Sequence, residues 1–118
     1  MPKVSIVLPT YNGEEYISNA IESIINQTYN DWELIIVNDC SNDNTLDIIN
    51  KYALADSRIS IIINNQNMKL PESLNIGFRN AKGDYLSWTS DDNMYDSKAI
   101  EKMVHYLDSN PNDNMVCS

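Results

Sequence analysis

Short runs dominated by Ile and Val alternate along this chain with stretches whose apolar residues recur every three or four positions. Lys3 to Leu8 (KVSIVL), Trp32 to Asn38 (WELIIVN), Ile59 to Asn64 (ISIIIN) and Tyr85 to Thr89 (YLSWT) read as strands. Between the first two, Asn12 and Glu15 have the spacing of an N-cap and its N3 acid, and Ile17, Ala20, Ile21, Ile24 and Ile25 then share one helical face. Asp43 or Asn44 caps a second helix that turns Leu46, Ile49 and Ala53 inward. Pro71 suits the first turn of a third, which carries Leu74, Phe78 and Ala81 and stops at Gly83. A fourth starts at Asp96 or Ser97, buries Ile100, Met103, Val104 and Leu107, and ends at Asn110-Pro111.

Strands rich in Ile and Val rather than alternating polar and apolar, each followed by a helix, imply a parallel sheet covered on both faces. The expected fold is a doubly wound, mostly parallel α/β domain. With 118 residues the chain supports one core, and the closing MVCS reads as the start of a fifth strand, so the first part of a larger protein is expected.

Composition narrows the partners. Eight basic against 17 acidic residues give a formal charge of -9, which argues against nucleic acid and anionic lipid, since both need clustered Lys and Arg. An acidic protein can still hold an anionic small molecule when a divalent cation supplies the positive charge. Cys40 and Cys117 are isolated thiols that fit a reducing, cytoplasmic setting, and no stretch approaches the ~20 apolar residues of a membrane span.

In open α/β sheets ligands bind beyond the carboxyl ends of the strands, where strand order reverses. Those ends here carry Pro9-Thr10-Tyr11-Asn12, Asn38-Asp39-Cys40-Ser41-Asn42-Asp43 and Ser90-Asp91-Asp92-Asn93. With strand order 3-2-1-4, Asp39 and Asp91 flank the first strand at roughly 10 Å, two strand spacings. The adjacent Asp91 and Asp92 repel unless one is protonated or a cation neutralises both, and Mg²⁺ or Mn²⁺ held by carboxylates and substrate phosphates is the simpler partner. The bland reading is a polar turn capping the next helix. Position at a strand end opposite Asp39 favours the metal. Tyr11 is either a surface aromatic or a stacking face for a base, and Asp39 either a turn residue or an acceptor for a base N–H or ribose hydroxyl. His105 has no metal-ligand spacing and Cys40 no His partner, so neither is a catalytic candidate. No G-x-G-x-x-G or P-loop is present, so phosphate is not gripped by a Gly-rich loop.

VSIVLPTYNGEEYISNAIESIINQTYNDWELIIVNDCSNDNTLDII, followed by NIGFRNAKGDYLSWTSDDN, resembles the amino-terminal half of family 2 inverting glycosyltransferases of the GT-A fold, a likeness that covers nearly the whole chain. Within that family PKVSIVLPTYN, QTYNDWELIIVNDCSND and TSDDNMY are most similar to bacterial spore-coat polysaccharide glycosyltransferases. The resemblance implies a nucleotide-sugar donor, most often a UDP-sugar, and transfer by single displacement to a hydroxyl of a glycan or lipid-linked acceptor in polysaccharide or cell-envelope synthesis. By it, Pro9, Thr10 and Tyr11 border the base, Tyr11 stacks on it, Asp39 bonds the uracil edge, and Glu14 borders the same pocket. Asp91 and Asp92 match the family's DxD-type element, the first at the ribose and metal, the second on Mn²⁺ or Mg²⁺. Lys69 is the one candidate for a basic residue meeting phosphate. The family's general base has no counterpart before Ser118, so the chain is expected to be the donor- and metal-binding part, inactive alone, working at the cytoplasmic side of the membrane.

Three other function classes fit the sequence less well. A response-regulator receiver needs an acid pair after the first strand, where Pro9-Thr10 stands. A metal-dependent adhesion loop starts well at Asp39-Cys40-Ser41 but breaks at Asp43. A sugar nucleotidyltransferase needs a Gly-rich basic loop after the first strand.

Overall fold

A computed structural model describes residues 2–110 and 115–117, the last three as backbone. In chain order its elements are β1 (Val4–Thr10), α1 (Ile17–Ile25), β2 (Trp32–Asn38), α2 (Thr45–Ala55), β3 (Ile59–Ile63), α3 (Lys69–Arg79), β4 (Tyr85–Trp88), α4 (Ala99–Ser109) and β5 (Met115–Cys117). All five strands form one parallel sheet in the order β3-β2-β1-β4-β5. The doubly wound expectation is met, and so is the fifth strand. The fourth helix ends at its C-cap Asn110, as expected, and Pro111 lies outside the described residues.

β1 is central and wholly buried, as its mostly apolar sequence suits when both faces are covered. Side chains alternate across it. Val4, Ile6 and Leu8 face a core completed by Ile17, Ile21 and Ile24 of α1, Ile49 of α2, and Ile100 and Leu107 of α4. Val7, with Ile35 and Val37 of β2, faces Leu74 and Phe78 of α3, with Ala81 beyond it. Among the described residues three helices therefore cover one face and α3 alone covers the other.

Helix starts differ from the sequence expectation. Asn12 does not cap α1: it takes a left-handed φ of 53°, and its Oδ1 accepts the Asn42 N–H at 2.7 Å. Gly13 O accepts the N–H groups of Tyr16 and Ile17 instead, so the loop after β1 is tied to the loop after β2 and α1 begins later. Asp43 does satisfy an N-terminal donor of α2, accepting from Thr45 N at 3.0 Å. Gly83 does not end α3, whose C-cap is Asn80; it lies against β1 and donates its N–H to Ser5 Oγ at 2.7 Å.

Candidate functional site

Strand order runs outward from β1 to β3 on one side and continues with β4 on the other, so the crevice between β1 and β4 is the topological switch point. The register carries both strands past it. Thr89 N donates to Val7 O at 3.0 Å, and Asp39 N to Thr10 O at 2.8 Å, which sets the loops after β1, β2 and β4 side by side. Across the crevice Thr10 Oγ1 donates to Asp91 Oδ2 at 2.7 Å. A cleft of about 360 Å³ opens here, within the size range of small-molecule sites.

Pro9, Thr10, Tyr11, Asp39 and Asp91 all line it. Four further residues line it: Ser90, already placed at a strand end but given no role, and Leu70 and Ser73 from α3 and Trp88 from β4, which the sequence does not point to. Ser90 had a signal, standing next to Asp91. The others reach the cleft through packing of α3 and β4, which no local motif announces.

Asp92, Glu14 and Lys69 do not line the cleft. Asp92 is exposed and accepts from Ser90 Oγ at 2.8 Å. Glu14 is exposed and accepts from Asn44 N at 3.3 Å, bridging the β1 loop to the start of α2. Lys69 is exposed at the start of α3 with a left-handed φ of 69°. Cys40, next to Asp39, shares that backbone region at φ 63°. Non-glycine residues held there cost about 1–2 kcal/mol each, and they cluster at ligand-binding loops.

Asp39 is 5 % exposed and heavily bonded. Its Oδ1 accepts from Asn64 Nδ2 at 2.9 Å and Met68 N at 2.7 Å, and its Oδ2 from Lys69 N at 3.0 Å. Burial pushes its carboxyl up, but these donors, with the Ser73 hydroxyl, outweigh burial and hold it below the usual carboxylate range. Asp39 is therefore an anion at neutral pH that also ties the N-terminus of α3 to the rim of the sheet.

Among the described residues no three His, Cys, Asp or Glu side chains cluster to hold a metal by themselves. The Asp91 carboxylate, its neighbour Asp92 and the hydroxyls of Thr10 and Ser90 are hard oxygen donors. That set fits Mg²⁺ or Mn²⁺, which take one or two carboxylates and complete their shell with water and substrate phosphate. Among the described residues no helix is long and apolar enough to cross a membrane.

Residues 5–118 match the family model for glycosyl transferase family 2. An uncharacterized glycosyltransferase of Haemophilus influenzae is 42% identical over 109 residues, which are 92% of this chain and 34% of that protein. The putative glycosyltransferase EpsE of Bacillus subtilis is 41% identical over 91% of this chain and 39% of its own length. The same organism's putative teichuronic acid biosynthesis glycosyltransferase TuaG is 32% identical over 90% and 42%. The chain thus spans between a third and about two-fifths of the length of these relatives. Among solved structures, S. aureus TarS 1-349 in complex with UDP superposes with a TM-score of 0.84 at 26% identity, over 91% of this chain and 32% of that one. The mannosyltransferase PcManGT of Pyrobaculum calidifontis reaches 0.84 at 22% identity over 90% and 32%, a likeness of fold.

Proposed function

The chain belongs to glycosyl transferase family 2, and from that premise we propose that the cleft at the β1–β4 crevice binds a nucleoside-diphosphate sugar of the UDP class. The observation that carries the reading is the Thr10–Asp91 hydrogen bond, which closes the switch point under a cleft shared by Tyr11 and Asp39. Family membership, and the likeness to TarS, whose structures include complexes with UDP and UDP-GlcNAc, support the donor class.

Tyr11 presents a ring at the cleft wall for the base to stack on, and Asp39, already ionised, accepts a base N–H. Pro9 and Thr10 border the base. Asp91 meets the ribose and, with Asp92 beside it, would hold a divalent cation, which would supply Lewis-acid stabilisation of the charge on the departing nucleoside diphosphate. Lys69 and Glu14 are assigned to the rim, Lys69 toward phosphate. The sugar passes with inversion to a hydroxyl of a glycan or lipid-linked acceptor, in polysaccharide or cell-envelope synthesis. This chain carries the donor side of that reaction, and no residue of it is assigned as the general base.

Calorimetric titration of UDP with and without Mn²⁺ tests the reading. Wild type binds in the presence of the metal, and Asp91→Asn and Asp92→Ala each weaken that binding by about tenfold or more, about 1.4 kcal/mol. Equal affinity in all three proteins, or binding indifferent to metal, would refute it.

A further inference from the structure

Asp39 is the one proposed donor-binding carboxylate withdrawn from solvent, and its neighbour Asn64 is equally buried. The Asn64 amide nitrogen has two hydrogens, and both are used: one toward Asp39 Oδ1 at 2.9 Å, the other toward Ser73 Oγ at 3.2 Å. Ser73, 1 % exposed on α3, stands by the Asp39 carboxylate and helps hold its pKa down. Asn64, at the end of β3, thus ties Asp39 beyond β2 to Ser73 on α3.

We propose that Asn64 is a positioning residue for donor recognition: its side-chain amide, locked by Ser73, fixes the orientation of the Asp39 carboxylate toward the nucleobase. The inference rests on the reading of the cleft as a nucleotide site. A carboxylate offers about four lone-pair positions, and Asn64, Met68 N and Lys69 N occupy three of them. An arriving base N–H takes the remaining position or replaces one donor. Lys69 N is the donor with somewhere else to go, because it also points at Asn67 Oδ1 at 3.0 Å. Each hydrogen of the Asn64 amide has its own single acceptor, so Asn64 keeps the carboxylate aimed while the backbone donor yields.

Two readouts on the chain test this. In the ligand-free protein, the Asp39 carboxyl is titrated by carbon NMR in wild type, Asn64→Ala and Ser73→Ala. The Asp39 midpoint rises in Asn64→Ala, because burial is then opposed by fewer donors. In parallel, UDP affinity with Mn²⁺ is measured across pH. Asn64→Ala binds about tenfold more weakly at neutral pH, and the acid limb of its affinity profile moves up with the Asp39 midpoint, a displacement that a loss of stability alone would not produce. The main-chain bond from Asn64 N to Asn38 O, 2.9 Å, survives the substitution, and Ser73→Ala carries the same test should Asn64→Ala fail to fold. An unmoved midpoint or wild-type affinity overturns the inference and leaves the nucleotide reading standing. Absence of UDP binding by wild type overturns both.

Discussion

Gly13 sits directly beneath the carboxylate at the crevice. A Cβ built on it would lie 2.6 Å from Thr10 Oγ1 and closer still to Asp91 Oδ2, the two atoms that bond across the switch point. Its own N–H donates to Thr45 Oγ1 at 3.0 Å and its O starts α1, so the backbone there is pinned and cannot retreat. The side chain of Asp91, half-buried at the cleft, is the part able to move. Gly13→Ala is therefore expected to break the Thr10–Asp91 bond and turn Asp91 away. UDP affinity in Mn²⁺ should fall about tenfold, with melting temperature changed by only a few degrees. Retained metal-dependent affinity in that variant would show that Asp91 does not need its place against Thr10.

The element that depends most on a single residue is α3, alone on its face of the sheet. Gly77 brings it onto β1 so closely that an added Cβ would fall within 2.9 Å of Val7 Cγ2 and nearer still to Cγ1. Alanine improves helix propensity by about 1 kcal/mol, whereas forcing a methyl into a packed core costs about 1–3 kcal/mol. Val7 is fully buried in the central strand, so the clash wins. Gly77→Ala should lose about 1–2 kcal/mol in urea denaturation, and Val7→Ala in the same chain should recover part of it, a non-additivity that distant sites do not show. The helices themselves were legible because each repeats its apolar residues at helical spacing, and the strands because most are rich in Ile and Val rather than alternating polar and apolar. Asp43 serves the start of α2 as expected, but the other capping groups come from other elements. Asn12 is spent on Asn42, Asp39 takes the N–H groups of Met68 and Lys69, and Gln27 Oε1 accepts the Ile100 N–H at 2.9 Å, joining the end of α1 to the start of α4. The site follows the same division. Residues at strand ends, Thr10, Asp39 and Asp91, could be placed from the switch-point rule alone. Asn64, Leu70, Ser73 and Trp88 enter only when β3, α3 and β4 are docked, and Asp92, adjacent to Asp91 in sequence, stands out in solvent.

At the scale of the whole molecule, a net charge of -9 has two opposed consequences. The negative field raises the local concentration of a divalent cation at the cleft, and it strains the compact state by self-repulsion. Against that strain, particular carboxylates are worth more ionised in the folded chain than in the unfolded one. In Asp56 the hydrogen bonds and charge of Arg58 hold the carboxyl low; in Asp43 burial pushes up, but the Thr45 hydroxyl and N–H and the Glu14 N–H outweigh it; Asp39 behaves likewise. Folded values below the unfolded value of about 3.9 mean that this stabilisation is complete above about pH 4 and is lost as pH falls through the lower folded values. Lowering pH from 7 toward 5 should first raise the melting temperature slightly as other acids begin to lose charge, and stability should then fall steeply below about pH 4. Asp56 separates this effect from the cleft, because its partner Arg58 packs on Trp32 at the opposite end of the sheet. Asp56→Asn should melt below wild type at pH 7 and approach it as the solution is acidified below about pH 4 and wild-type Asp56 takes up its proton. Melting curves that stay a constant distance apart across that range would mean that the Asp56–Arg58 pair stabilises through packing alone.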